Sequence, residues 1–183
     1  MNWKKHIVII IAVFLLVAVL MRPAGCGPAG GGGRPTGAAV VTIKAPNVAA
    51  DTAIHAERTF TIRAEVADTA EKRQKGLSGR RGLEPGYGMI YPYAEPSRPK
   101  LSEQGTDFPL SVAFLKPDGT IAGIRRTKEN DPAVFQPEEP ISYVLELREG
   151  WFQDRRLEPG HRLDMPEELP AAAPSAPAET PMR

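Results

Sequence analysis

Ile141, Tyr143, Leu145 and Leu147 fall on every second position of the chain, and so do Phe60, Ile62, Ala64 and Val66. Side chains of an extended strand point alternately to opposite faces, so each run describes a strand with one face buried. Leu110, Val112 and Phe114 repeat the pattern, and Lys116-Pro117-Asp118-Gly119 then turns the chain into Thr120–Ile124. Proline fixes φ, aspartate bonds to the nearby backbone and glycine accepts a positive φ, so this stretch predicts a tight hairpin. Gly88–Tyr93 reads as a further strand that Pro92 confines to a sheet edge or a bulge. One short helix is expected where Asp68-Thr69-Ala70-Glu71 forms a capping signature, Lys72–Lys75 follow and Gly76 stops the run. Gly150–Arg156 predicts a helical turn that buries Trp151, and Glu158-Pro159-Gly160-His161 a second tight turn before a closing strand at Arg162–Asp164. The expected fold class is mainly β (α+β), a small rolled sheet or barrel with one or two short helices rather than a βαβ fold.

The pattern runs out on both sides of residues 58–165, which are read as the folded, β-rich domain. Lys4, Lys5 and His6 lead into an unbroken apolar run, Ile7–Met21. As a helix this run is about 22 Å long against a hydrocarbon core of about 30 Å. Residues 1–22 are therefore read as a signal-anchor or transmembrane segment, shortened but met by local thinning of the bilayer and by Trp3 and Arg22 at its interfaces. The leading lysines put the N-terminus in the cytoplasm, so the domain is expected on a single-pass cell-membrane protein, facing the periplasm or cell exterior. Two other fates stay open: ordinary cleavage among the small residues Ala24–Gly31, and lipidation of Cys26 after Pro23-Ala24-Gly25, a weak lipoprotein box. Residues 23–57 read as a flexible Gly/Ala-rich linker, within which Ala38–Ile43 is compatible with a short strand. Residues 166–183, Pro/Ala-rich with few large apolar side chains, read as a disordered tail.

The chain has 23 basic and 22 acidic residues and a formal net charge of +1, so no global field draws nucleic acid, and none is expected as a partner. The charges at Lys72, Arg73, Lys75, Arg80 and Arg81 alternate with Glu65, Asp68, Glu71 and Glu84, which reads as a solvated mixed face. Cys26 is the single cysteine, which excludes an internal disulfide or a cysteine-cluster metal site. His6, His55 and His161 are mutually distant in sequence, and His161 with Asp164 reads as an exposed turn rather than a metal pair. No metal and no cofactor is expected. Gly76, Gly79, Gly82, Gly86 and Gly88 lack the strand-before, helix-after setting of a phosphate loop and read as turn glycines.

Val66-Ala67-Asp68-Thr69, Gly76-Leu77, Arg80, Leu83 and Gly88-Met89-Ile90-Tyr91 occur in an order that resembles the domain of unknown function 192 family. Pro109-Leu110, Ala113-Phe114, Gly119, Tyr143-Val144-Leu145-Glu146-Leu147, Gly150 and Pro159-Gly160 extend the resemblance over residues 60–164. It implies a compact β-rich domain, often exported in bacteria, with no established substrate. The chain departs from the family where Phe-Trp-Met-Lys-Asn-Thr is usual: it has Leu101-Ser102-Glu103-Gln104-Gly105-Thr106, with Ser111 in place of an aspartate. That segment is expected to be an exposed, mobile loop. Arg80, Thr106 and Glu146 remain as candidate binding residues, each with a structural alternative in turn or strand-end bonding. No catalytic set is visible. The expected function is a membrane-tethered, non-catalytic binding or accessory domain of the cell envelope, with a protein or envelope ligand not identified. Two alternatives stand beside it: an envelope hydrolase using polar residues in a cleft, and a structural protein that recruits partners through its C-terminal tail.

Overall fold

The structure, a computed structural model, describes residues 39–46, 59–167 and 169. The apolar run Ile7–Met21, Cys26, most of the linker and nearly all of the tail lie outside the described residues. No described helix is long and apolar enough to cross a membrane.

The described residues form one six-stranded mixed sheet: β1 (Val40–Pro46), β2 (Thr59–Val66), β3 (Tyr87–Ser97), β4 (Leu110–Leu115), β5 (Ile121–Arg126) and β6 (Ile141–Arg148). The order across it is β1-β2-β3-β6-β4-β5. The mainly β class holds. β1, in the stretch read as linker, pairs with β2 along its whole length from Val40↔Glu65 to Pro46↔Thr59. β2 and β3 run parallel, so their connection is a crossover, and it carries the single short helix α1 (Ala70–Lys75). One βαβ-like unit therefore sits inside a sheet whose other pairings are all antiparallel.

α1 forms where its caps require. The Thr69 side chain accepts from the Lys72 N–H at 3.2 Å, and Gly76 leaves the helix with φ 47° while its N–H returns to Lys72 O. Lys72 also pairs with Asp68 at 2.6 Å. The β4–β5 hairpin turns as expected at Lys116–Thr120. Gly119 donates to Lys116 O at 3.0 Å, and Asp118 Oδ1 accepts from the Thr120 N–H at 3.0 Å.

Pro92 lies in a central strand rather than at an edge. The Ile90 carbonyl accepts from the Ala67 N–H, so even-numbered residues of β3 turn their backbone groups toward β2. The parallel pairing ends at Val66↔Ile90, so the missing N–H of Pro92 falls beyond the last rung. The register with β6 shifts between Pro92 and Ser97, which is the bulge the proline implied.

Both faces of the sheet are buried. Ile43, Ile62, Ala64, Ile90, Ala113, Leu115, Leu145 and Leu147 form one core with Trp151, Phe152 and Leu157. Trp151 is carried by the turn at Gly150–Arg156, part of which is a 3-10 helix (Gln153–Arg155). The Arg155 guanidinium stacks over Trp151 at 4.2 Å and over Phe60 at 4.5 Å. The opposite face holds Met89, Tyr91, Leu110, Val112, Phe114 and Val144, covered by Leu77, Leu101 and Phe135 from loops.

The expected closing strand reduces to two single bridges, Thr120↔Arg162 and Lys44↔Asp164. These join the two ends of the sheet without a continuous ladder, so the arrangement is a rolled sheet and not a closed barrel. Gly119 is essential to this closure. Its φ is +84°, and a Cβ there would run into the Leu163 carbonyl oxygen and come within 2.8 Å of Met165 Cγ. Replacing Gly119 by alanine should therefore cost about 2–4 kcal/mol in urea denaturation, from backbone strain and overpacking together. A loss within about 0.5 kcal/mol, the range of ordinary surface substitutions, would contradict the packing described.

Candidate functional site

On the second face the register lines up Glu65 of β2, Met89 of β3, Glu146 of β6 and Val112 of β4 as consecutive cross-strand neighbours. Two carboxylates thus point into a layer that loops cover. Glu65 is 5% exposed and Glu146 5%. A buried carboxylate needs a cation, donors or a proton. The two residues find different answers.

Glu65 takes a cation. Arg80, positioned by the turn after α1, grips both its oxygens, with Nη2 2.7 Å from Oε2 and Nη1 on Oε1. The bidentate geometry raises the pKa of Arg80 through its bond to Glu65. Arg73 of α1 is also buried, with Nη1 donating to the Asp68 carbonyl at 3.3 Å. The charges around α1 were expected to be a solvated mixed face. Glu65 and Arg73 are instead buried, Glu65 on a sheet face that loops cover and Arg73 as the one buried residue of α1.

Glu146 is held toward its neutral form. The Tyr91 hydroxyl donates to its Oε2 at 2.6 Å, and the Glu103 carboxyl, itself buried, is its electrostatic neighbour. Burial, and then the Glu103 charge, hold Glu146 well above the usual carboxylate range. Burial pushes Glu103 up to about 7, against the bonds from Glu146 and Thr106. Tyr91 is also raised, by burial and by Glu146, and so remains a donor. Thr106 Oγ1 lies 3.5 Å from Glu103 Oε2, at the long limit of a hydrogen bond.

Glu103 belongs to the segment expected to be exposed and mobile. Only Gln104 and Gly105 are exposed. Leu101, Ser102, Glu103 and Thr106 are buried, and Thr106 is 1% exposed. The segment is held by a two-bond bridge between Leu101 and Phe135, at 2.8 and 2.9 Å. Asn130 adds two more bonds, donating its N–H to Thr106 O at 2.6 Å and accepting from the Gly105 N–H at 2.8 Å. Its φ of 50° is a conformation asparagine tolerates.

Of the three residues singled out in the sequence, Glu146 and Thr106 both neighbour Glu103, and Arg80 reaches the same face through its bonds to Glu65. Glu103, Tyr91 and Glu65 were missed. The available signal was Val144 beside Glu146 on the even positions of β6: an apolar residue there marks that face as covered too. Ser111, where the family has an aspartate, lies in β4 and accepts from the Gly150 N–H at 3.0 Å, anchoring the turn that carries Trp151. His161 is bound within its own turn, with Nδ1 accepting from the Glu158 N–H at 2.9 Å. Among the described residues no three His, Cys, Asp or Glu side chains cluster to hold a metal. Cys26 lies outside the described residues.

A second feature is a half-open groove of about 1210 Å³ along β5. It is lined by Phe114 and strand residues 122–126, and by Lys128, Gln136, Glu138, Glu139 and Glu149 from other parts of the chain. Arg125 stacks over Phe135 at 4.4 Å, and Lys116 pairs with Glu139 at 3.0 Å. Gly123 is among its lining residues, and a Cβ there would sit 3.5 Å from Phe114 Cδ2.

Residues 52–165, more than half of the chain, match a family of uncharacterized proteins, the domain of unknown function 192 family, described as "Uncharacterized ACR". The chain belongs to this family. No curated protein matches it. Two crystal structures stand among those similar to it. One, from Sinorhizobium meliloti 1021, is provisionally described as a transcription regulator; it is 27% identical, with a TM-score of 0.64 over 72% of this chain and 98% of the other. The second is a protein of unknown function from Novosphingobium aromaticivorans DSM 12444, 22% identical, with a TM-score of 0.62 over 77% and 99%, and shares the fold. The family resemblance puts methionine at the register of Glu103, so the carboxyl pair arises where this member departs from the family.

Two expectations follow for stability. A pKa raised on folding stabilises the protein fully below the unfolded value and loses that contribution as pH rises through the folded one. For Glu103 the loss runs from about 4.5 to about 7 and amounts to on the order of 3 kcal/mol, with Glu146 extending it upward. Urea denaturation should show lower stability at pH 8 than at pH 5, and Glu103→Gln should reduce the difference; equal profiles for both proteins would refute the assignment. For the ion pair, Arg80→Met should cost about 3 kcal/mol by leaving Glu65 buried without its cation. Pairing it with Glu65→Gln should recover part of that loss in the same denaturation series, whereas additive losses would count against the pair.

Proposed function

We propose that this domain is a non-catalytic binding or accessory module of the cell envelope, tethered through residues 1–22 and facing away from the cytoplasm. The observation that carries the non-catalytic reading is how the convergent polar groups are spent. Glu146 is engaged by Tyr91 and Glu103, Thr106 lies beside Glu103, and Arg80 is bound to Glu65. Glu103, Glu146 and Thr106 are at most 5% exposed, which leaves no room beside them for a reacting atom. The groove along β5 is open, and it supplies the binding face. Tethering is supported by Lys4 and Lys5 ahead of the Ile7–Met21 run.

The hydrolase reading keeps one observation in its favour: two buried carboxyls held toward the protonated form, one with a pKa of about 7, resemble the pairs acid–base catalysts use. A nucleic-acid role, one way in which a chain similar to a provisionally described transcription regulator could act, finds less support. The groove sets Arg125, Arg126 and Lys128 against Glu138, Glu139 and Glu149, and the chain carries a net charge of only +1.

Gly123→Val discriminates the readings. Its Cβ makes only an ordinary contact with Phe114 and a β-branched residue suits a strand, so the variant should fold while adding bulk to the groove lining. In a deletion strain Gly123→Val should fail to restore the phenotype and Glu146→Gln should restore it fully. The opposite pattern, with both variants folded, would favour the hydrolase. An alkaline phosphatase fused after Arg183 should be active, since that enzyme needs an oxidising compartment; a silent fusion would reverse the proposed topology.

A further inference from the structure

β1 and β5 are the outer strands of the sheet. The outer edge of β1 is met midway, at Lys44, by Asp164. Among the described residues, the outer edge of β5 is met only at its start, where the Ile121 N–H donates to His161 O and the Gly160 N–H to Ile121 O, both at 2.8 Å. Beyond Ile121 the β4–β5 ladder decides which backbone groups point outward. The Thr127 N–H donates to Leu110 O at 2.9 Å, so Thr127 faces β4, and by the two-residue repeat of an antiparallel pair so do Arg125 and Gly123. Ile124 and Arg126 therefore turn their N–H and C=O groups away from β4, and among the described residues none bonds to them. This open edge lies within the groove, whose lining takes in Ala122–Lys128.

We propose that this edge is a dimerisation surface: a second copy of the chain lays its own β5 antiparallel along the groove, continuing the sheet across a two-fold axis at Ile124. Open strand edges pair with other strands unless something blocks them, and charge commonly does so. Arg125 and Arg126 would block a strand that met them with like charge, but the axis at Ile124 avoids this. It sets Ile124 against Ile124, Arg125 against Gly123 and Arg126 against Ala122 of the second copy, so each arginine meets a small neutral residue. Other axes fit worse. Centring the pair on Arg125 sets that arginine against itself. Centring it on Gly123 brings Arg126 onto Thr120, whose edge Arg162 already occupies. A two-fold contact also presents one patch to itself, so the patch must be complementary within itself. The groove lining holds three exposed cations, Arg125, Arg126 and Lys128, and three exposed carboxylates, Glu138, Glu139 and Glu149. A lining of one sign would repel its copy, whereas this balance lets the cations of each copy meet the carboxylates of the other. Ile124, half-buried at the edge, is covered by its counterpart.

A role for this dimer rests on the groove being the binding face, but the dimer is testable without that reading. Single cysteines are placed along β5 of the full-length chain, with Cys26→Ser removing the native thiol, and membranes of the producing cells are treated with a mild oxidant. Ile124→Cys should give a covalent dimer. Ala122→Cys and Arg126→Cys, each displaced about 14 Å along the strand from its counterpart, should give about fivefold less or lower, since a disulfide needs Cα atoms within about 7 Å. Gly123→Cys and Arg125→Cys, produced together, should cross-link to each other. Gln74→Cys, exposed on α1, sets the level of random collision. A profile flat at that level, a maximum at Ala122 or Arg126, or an Ile124→Cys adduct with a different protein would each overturn the dimer. A maximum at Ile124 beside a Gly123→Val protein that complements fully would uphold the dimer and refute the groove as the working face.

Discussion

β6 occupies the middle of the sheet and is covered on both faces. Leu145 and Leu147 meet the core built on Trp151 and Phe152, while Val144 and Glu146 meet the layer of loops on the other side. A glutamate at such a position has no water to solvate its charge, and ionising it alone inside protein would cost several kcal/mol. The structure meets this constraint with a tyrosine hydroxyl and a second buried carboxyl, and burial holds both carboxyls toward the protonated form. Leu101 in the apolar layer, the bridge to Phe135 and the bonds of Asn130 hold the segment that brings Glu103 to this face. The same face solves the same difficulty differently at Glu65, where Arg80 supplies a bidentate cation. Such an ion pair adds little net stability over an apolar pair, but breaking it is costly.

Much of the sheet was legible because strand periodicity is local. Phe60–Val66, Leu110–Phe114, the Lys116–Gly119 turn and Ile141–Leu147 each state their conformation in adjacent residues. What periodicity does not state is whether the second face is covered, since that depends on segments distant in the chain. Glu65 and Glu146 therefore read as solvent-facing, and β4, buried on both faces, read as half-buried. Pro92 announced the bulge but not the strand's central place: its missing N–H is harmless there because β2 stops pairing at Val66, a property of the partner strand. The 101–106 segment is polar and contains glycine, which locally means a loop. Its burial is decided by residues that meet it only in the fold, such as Phe135.

The candidate site was partly legible through the family resemblance, which kept Arg80, Thr106 and Glu146 in view. It could not supply Glu103, because that residue occupies a position where the family pattern has methionine. A residue outside the family pattern thus completes the most tightly organised polar cluster on this face. The groove along β5 had no sequence signal, since it is a gap between a strand and a loop that only the fold brings together.

The account depends on one proton remaining inside the folded protein at neutral pH. Isotope-edited infrared spectroscopy of protein with 13C-labelled glutamate carboxyls tests this directly. At pH 6.5 a protonated-carboxyl C=O band should be present, should shift with the label, and should be lost when the protein is unfolded in urea at the same pH. A folded spectrum holding only carboxylate bands at that pH would mean that Glu103 and Glu146 are both ionised, and would contradict the account.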